Sequence, residues 1–255
     1  MRFSWHKPER RPIIVAHRGS SEIAPENTSQ AFRRACEDGA DAIELDVHLS
    51  GDGHVVVIHD ESIDRTTDGK GKVRGYTFRQ LKKYNAASGW NKRFVFESIP
   101  SLEDVLAEFG NKIGINIEIK KEQTSKTQHE LLRKTMNLIT RYKLIETVLV
   151  SSFSSKVIKE AGMLDSRIGR GLLYDPVSHA LRSPVVMAKS LGVKYLILNR
   201  RVTMKRTVKA AHVNDMLVGE YAVDTHPQAA RSIRYGIDVL FTNHPLKILS
   251  VLERQ

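Results

Sequence analysis

Four short clusters in this 255-residue chain combine residue types that move protons or hold charge. His17-Arg18-Gly19 follows the apolar run Ile13-Ile14-Val15-Ala16 and sets a proton carrier beside an anion-binding guanidinium. Glu44-Leu45-Asp46-Val47-His48 alternates as a strand does. Successive side chains of a strand point to opposite faces, so Glu44, Asp46 and His48 share one face and Ile43, Leu45 and Val47 the other. Two carboxylates on a covered face repel and lose hydration. A cation between them removes that penalty, and hard oxygen ligands favour Mg²⁺ or Ca²⁺. His59-Asp60 is the third cluster. In the fourth, Ile113, Ile115, Ile117 and Ile119 share one face and Asn116, Glu118 and Lys120 the other. Glu118 is a candidate third ligand, and Lys120 a candidate phosphate contact. Two histidines, three carboxylates, an Arg and a Lys are the kit for acid–base cleavage of an anionic ester with a divalent cation. No Gly-x-Ser-x-Gly, Walker or Gly-x-Gly-x-x-Gly motif occurs, which leaves serine-hydrolase chemistry and nucleotide binding of those kinds unsupported.

These clusters need a frame that brings early strand ends together. Short apolar runs alternate with helix-period segments along nearly the whole chain. Strands are predicted at Ile13–Ala16, Ala42–Val47, Ile113–Ile119, Val148–Ser151, Ile168–Leu173, Tyr195–Leu198, Met216–Val218 and Val239–Thr242. Helices are predicted between and after them, among them Thr28–Glu37, Ser101–Phe109 and Gln128–Tyr142. Eight strands with eight helices predict an α/β fold, a single (β/α)8 barrel over 1–255, with its active face at the strands' C-terminal ends. A doubly wound open sheet is the alternative, because alternation alone does not prove closure. The rhythm breaks after Val47. Val55–Ile58 follows too soon for a crossover helix, so it predicts an antiparallel hairpin. A two-residue turn at Asp52-Gly53 would set His59 opposite Asp46 and Glu61 opposite Glu44; a three-residue turn would shift the register by one. From about 61 to 98 no clean strand–helix unit follows, which predicts a small insertion after the second strand.

Composition narrows the class. The net charge is +11, but the basic residues are dispersed and carry no zinc-finger or RNP-type signature. An anionic small-molecule substrate is expected, and no nucleic acid. The single cysteine, Cys36, excludes an intramolecular disulfide and a cysteine-built zinc cluster. It lies on the apolar stripe of the first helix and is expected to be a buried small hydrophobe. No run approaches the ~18 apolar residues of a membrane span. Met1–Arg11 lacks the apolar stretch of a signal peptide, so a cytoplasmic location is expected.

Taken in order, the motifs resemble the glycerophosphodiester phosphodiesterase family. The matching residues are His17-Arg18-Gly19, Pro25-Glu26-Asn27-Thr28, Gly39-Ala40-Asp41, Glu44-Leu45-Asp46-Val47, His59-Asp60, Asp64-Arg65-Thr66-Thr67, Ile99-Pro100-Ser101-Leu102 and Asn116-Ile117-Glu118-Ile119-Lys120. Weaker matches stand at Ser152-Phe153 and Gly236-Ile237-Asp238. The resemblance implies a TIM-type barrel and metal-dependent hydrolysis of glycerophosphodiesters to glycerol 3-phosphate and an alcohol. It implies catalytic roles for His17 and His59, phosphate contacts from Arg18 and Lys120, and Glu44, Asp46 and Glu118 as ligands of Mg²⁺ or Ca²⁺. It further implies attack by the substrate's own 2-hydroxyl through a cyclic phosphate, with His17 as base and His59 as acid. The same chemistry on a lysophospholipid is an alternative, if Tyr76, Phe78, Trp90, Phe94 and Phe96 of the insertion formed an apolar groove. A non-catalytic anion-binding protein is a further one. Two loops depart from the family's pattern. Tyr221-Ala222-Val223-Asp224 stands where Trp-Thr-Val-Asn is common, and Thr242-Asn243-His244-Pro245 where Thr-Asp-Tyr-Pro is common. The added acid at Asp224 is expected to bear on which head group fits.

Overall fold

In the computed structural model, which describes residues 3–8, 12–90 and 94–252, eight parallel strands close into a barrel. They are β1 (Ile13–His17), β2 (Ala42–Leu49), β4 (Gly114–Ile119), β5 (Val148–Ser152), β6 (Gly169–Tyr174), β7 (Tyr195–Asn199), β8 (Leu217–Tyr221) and β9 (Val239–Thr242). Each pairs with the next, and β1 pairs with both β2 and β9, which excludes the open sheet. Helices α1 (Ser29–Glu37), α3 (Leu102–Phe109), α4 (Ser125–Arg141), α5 (Ser155–Leu164), α6 (Pro184–Ser190), α7 (Lys205–Val213), α8 (His226–Tyr235) and α9 (Pro245–Leu252) form the outer layer.

Strand alternation builds two apolar regions. Ile14, Ala16, Ile43, Leu45 and Val47 pack outward among helix residues such as Phe32, Leu106 and Ile248. Ile13, Val15, Leu149, Tyr195, Val239 and Phe241 fill the interior. Trp5 joins that interior cluster and is 1% exposed. Its indole N–H lies 3.2 Å from the carbonyl of Ile115 and 3.0 Å from that of Thr147, at the N-terminal ends of β4 and β5. The segment thus plugs the barrel floor. Further along the strands the interior turns polar: Glu44, Asp46, Asn116, Glu118 and Ser151 are all buried.

A ninth strand, β3 (Val55–Val57), runs antiparallel to β2 and takes its edge at Val47–Leu49, beyond the point where β1 ends opposite Glu44. Its register corrects the two-residue turn. Val47 faces Val57 and Leu49 faces Val55, so Gly51-Asp52-Gly53 form a three-residue loop. Gly53 supplies the left-handed conformation such loops need (φ 79°). Asp46 is therefore opposite Ile58, whose N–H donates to its carbonyl, and Glu61 stands exposed beside Lys72 instead of facing Glu44. His59 nonetheless reaches the site, because β3 ends at Val57 and the chain turns out of the ladder. The stretch that follows carries α2 (Phe78–Leu81) and its own apolar cluster of Val56, Ile58, Ile63, Val73, Leu81, Ala86 and Ile99. Tyr76 and Phe78 pack on that cluster, and Trp90 meets Phe94 edge to face at 5.7 Å. Of the five aromatics that could line a lipid groove, Phe96 alone is exposed. Cys36 is half-buried, not fully buried, and packs on the edge of the outer core.

Candidate active site

The C-terminal mouth of β1, β2 and β4 gathers every site residue expected from the sequence. Pairing register does most of the work: His17 is opposite Glu44, and Asp46 opposite Glu118. One carboxylate oxygen from each of Glu44, Asp46 and Glu118 lies within 4.8 Å of the other two, and all three residues are buried. Lys120 bridges the group, its Nζ 2.7 Å from Glu118 Oε1 and 3.3 Å from Asp46 Oδ1. Arg18 closes the other side. Its backbone N–H donates to Glu44 Oε2 (2.9 Å), its Nη1 donates to Glu26 Oε1 (2.9 Å), and its Nε stands 3.3 Å from Asp46 Oδ2. These contacts hold Arg18 in the left-handed region (φ 58°), a strained conformation for a non-glycine residue. Asn27, also left-handed (φ 57°), donates from Nδ2 to Asp46 Oδ2 (2.9 Å).

Burial and charge split the three carboxyls. Burial would raise Asp46, but Lys120 and then Arg18 overcome it and hold the carboxyl down at about 2. Burial raises Glu44, and the neighbouring Asp46 and Glu118 charges raise it further. Glu118 is raised by burial and by Asp46, against Lys120. A site that packs like charges so tightly fits a cation. Asp46 Oδ1 is buried and meets the Lys120 ammonium at 3.3 Å without a well-directed hydrogen bond. An all-oxygen donor set of this kind suits Mg²⁺ or Ca²⁺.

The two histidines flank this cluster and are held differently. His17 Nε2 stands 4.0 Å from Glu44 Oε2, while Nδ1 lies 2.8 Å from Asn243 Oδ1. His59 Nδ1 lies 2.6 Å from Asp60 Oδ1. Burial lowers the pKa of both rings; Arg18 adds to the effect at His17, and Asp46 opposes it at His59. Behind His59 runs an ionic chain. Arg65 Nε donates to Asp60 Oδ2 (2.6 Å), and Arg65 Nη1 and Nη2 donate to both oxygens of Glu26 (2.8 Å each), the carboxylate that also binds Arg18. His48 Nε2 lies 3.2 Å from the carbonyl of His59.

Sequence reasoning left Glu26, Asn27, Asp60 and Arg65 without roles, although each lies in a quoted motif. Both oxygens of Asp224 accept from Thr242 and Asn243, so the carboxylate supports the neighbouring loop. Beside Glu118 and Lys120 a cavity of about 750 Å³ opens over the ends of β4 and β5, with Lys121, Ser152, Phe153 and Lys156 on its walls.

The family model for glycerophosphoryl diester phosphodiesterases matches residues 17–247. The chain belongs to that family. It is thus an enzyme, a phosphodiesterase. A glycerophosphodiester phosphodiesterase from Caldanaerobacter subterraneus subsp. tengcongensis is 35% identical over 248 residues, covering 95% of this chain and 98% of the relative. A putative glycerophosphodiester phosphodiesterase from Bacillus subtilis is 33% identical over 240 residues, covering 91% and 94%. Among solved structures, an Oleispira antarctica phosphodiesterase in complex with the product sn-glycerol-3-phosphate superposes with a TM-score of 0.85 at 28% identity, covering 95% of this chain and 97% of that one. Family membership thus rests on nearly the whole barrel, including every site residue named above. No helix of the described residues is long and apolar enough to cross a membrane.

Proposed function

We propose that this phosphodiesterase hydrolyses glycerophosphodiesters to glycerol 3-phosphate and an alcohol, with Glu44, Asp46 and Glu118 holding one Mg²⁺ or Ca²⁺. The observation that carries the reading is the convergence of three buried carboxylates, two cationic side chains and two histidines on one barrel mouth. When bound, the cation supplies Lewis-acid stabilisation of charge on the phosphate oxygens. Arg18 and Lys120 bind the remaining phosphate charge and fix the phosphorus between the two rings. His17 Nε2 takes the proton of the substrate's 2-hydroxyl as its oxygen bonds to phosphorus. His59 gives a proton to the alcohol oxygen as that P–O bond breaks. Water then opens the cyclic phosphate with the proton transfers reversed, so one water is consumed and both rings return to their starting states. Their supports favour this division of labour: His17 Nδ1 meets a neutral amide oxygen, whereas His59 Nδ1 meets the Asp60 carboxylate, which favours the charged ring more than a neutral acceptor does.

The test is release of glycerol 3-phosphate from glycerophosphocholine and glycerophosphoethanolamine, with Mg²⁺, with Ca²⁺ and with chelator. Release is expected with a divalent cation only, with kcat falling by about 10²–10⁴ in each of His17→Ala and His59→Ala. Release in chelator, or full activity in either variant, would overturn the mechanism. Folded protein inert on both diesters but active on a lysophospholipid would move the substrate to that class.

A further inference from the structure

Resting on the role proposed for His17, we infer that Asp224 and Asn243 form a relay that fixes the tautomer and orientation of the His17 ring, making both of them positioning residues for the reaction. The chain of deduction starts at the carboxylate. Ionised Asp224 can only accept hydrogen bonds. Asn243 offers it two donors, the backbone N–H to Oδ1 (2.7 Å) and side-chain Nδ2 to Oδ2 (3.0 Å). The amide is therefore turned so that its oxygen faces the other way, toward His17 Nδ1 at 2.8 Å. Ser21 Oγ lies 2.9 Å from the same oxygen. An amide oxygen accepts and cannot donate, so His17 Nδ1 carries the ring proton. The opposite tautomer would set two lone pairs against each other at hydrogen-bond distance. Nε2, the nitrogen on the Glu44 side, is left with its lone pair free, which is the state a base requires. In the free amino acid the Nε2–H tautomer is the more stable one, so the protein selects the less common form.

Both members are fixed by backbone as well. Asp224 precedes Thr225, the N-cap of α8, and its N–H donates to Gln228 Oε1 (2.8 Å), which also accepts from the Thr225 N–H. The Val223 N–H donates to the Phe241 carbonyl, and the Asn243 carbonyl accepts from the Glu22 N–H. The amide thus has no freedom to flip while its two bonds to Asp224 stand. The two departures from the family's pattern in these loops are in contact, and they act as one unit.

Four variants and one spectroscopic measurement test this. Asn243→Ala and Asp224→Asn are expected to lower kcat about 10–100-fold with KM held within about 3-fold. Asn243→Asp places two carboxylates face to face and is expected to do the same. The exchanged pair, Asp224→Asn with Asn243→Asp, restores an acceptor for His17 and a donor–acceptor contact between the loops. It is expected to recover kcat to within about 5-fold of the parent, a strong non-additivity. In ¹⁵N-histidine-labelled enzyme at about pH 8.5, where an ordinary histidine is neutral, the His17 signals should show Nδ1 protonated and Nε2 bare. Asn243→Ala should shift that pattern toward Nε2–H. An Nε2–H ring in the parent, or unchanged kcat in Asn243→Ala, overturns the relay. If His17→Ala itself retains full activity, the mechanism falls, and the relay's catalytic purpose with it.

Discussion

Glu44 and Asp46 are separated by one residue on one strand, yet folding pushes their carboxyls in opposite directions. Asp46 has two cations and an amide donor; Glu44 has one backbone N–H and two neighbouring like charges. A carboxyl raised on folding costs stability as pH climbs past its ordinary value, because the folded state resists losing the proton. In metal-free protein, Glu44→Gln should therefore leave Tm nearly unchanged near about pH 4 and raise it toward neutral pH. A gain of about 1–8 °C is expected, as relieving the burial and repulsion of such a charge commonly returns ~0.5–2 kcal/mol. Thermal melts across pH check this; under the proposed ligation, Mg²⁺ or Ca²⁺ is expected to raise the parent's Tm and to leave the variant's nearly unchanged. At this scale the carboxylates were legible, since a period of two marks which side chains face the interior. Asn243 was not legible as a partner of His17, because 226 positions separate them and strand closure alone joins them.

At the scale of elements, the site depends on turns as much as on strands. β1 passes into the loop before α1 through Arg18 and Gly19, both left-handed. Gly19 lies against the first turn of α1, where an added Cβ would sit 2.6 Å from the Ala31 backbone carbon and 2.7 Å from its oxygen. Gly19→Ala should therefore cost about 2–4 kcal/mol in urea unfolding, about 1 from the left-handed backbone and 1–3 from overlap. It should also lower activity by displacing Arg18. Strand and helix positions were legible to within a few residues. Thr28 and Ser101 cap α1 and α3 through their side chains, as their residue types suggest. The β2–β3 register was not, because both a two- and a three-residue loop can be drawn through Ser50–His54. The left-handed Gly53 and the Ser50 Oγ bond from the His54 N–H select the longer one. The His59 approach then comes from the end of β3 and from the Asp60–Arg65–Glu26 chain, and ladder pairing contributes nothing to it.

Across the whole molecule, alternation of strands and helices made the barrel legible, but closure is a property of the β1–β9 pair. The polar upper interior and apolar lower interior divide the labour between chemistry and stability. Trp5 belongs to the second part. From sequence its segment could not be placed, since one tryptophan among basic residues has no periodicity to assign it to an element. Its indole packs edge to face on Tyr195 (5.5 Å) and on Phe3 (5.1 Å). Trp5→Ala should cost about 3–5 kcal/mol in equilibrium unfolding, the usual penalty for emptying a buried aromatic site, while kcat at the far end of the barrel stays near the parent's. The molecule's other tryptophan, Trp90, lies half-buried in the excursion beyond β3. The chain's tryptophan emission therefore comes from two separate places: a shielded indole that reports whether the barrel's floor is intact, and a partly wetted one, open to a dissolved quencher, that reports the state of the excursion alone.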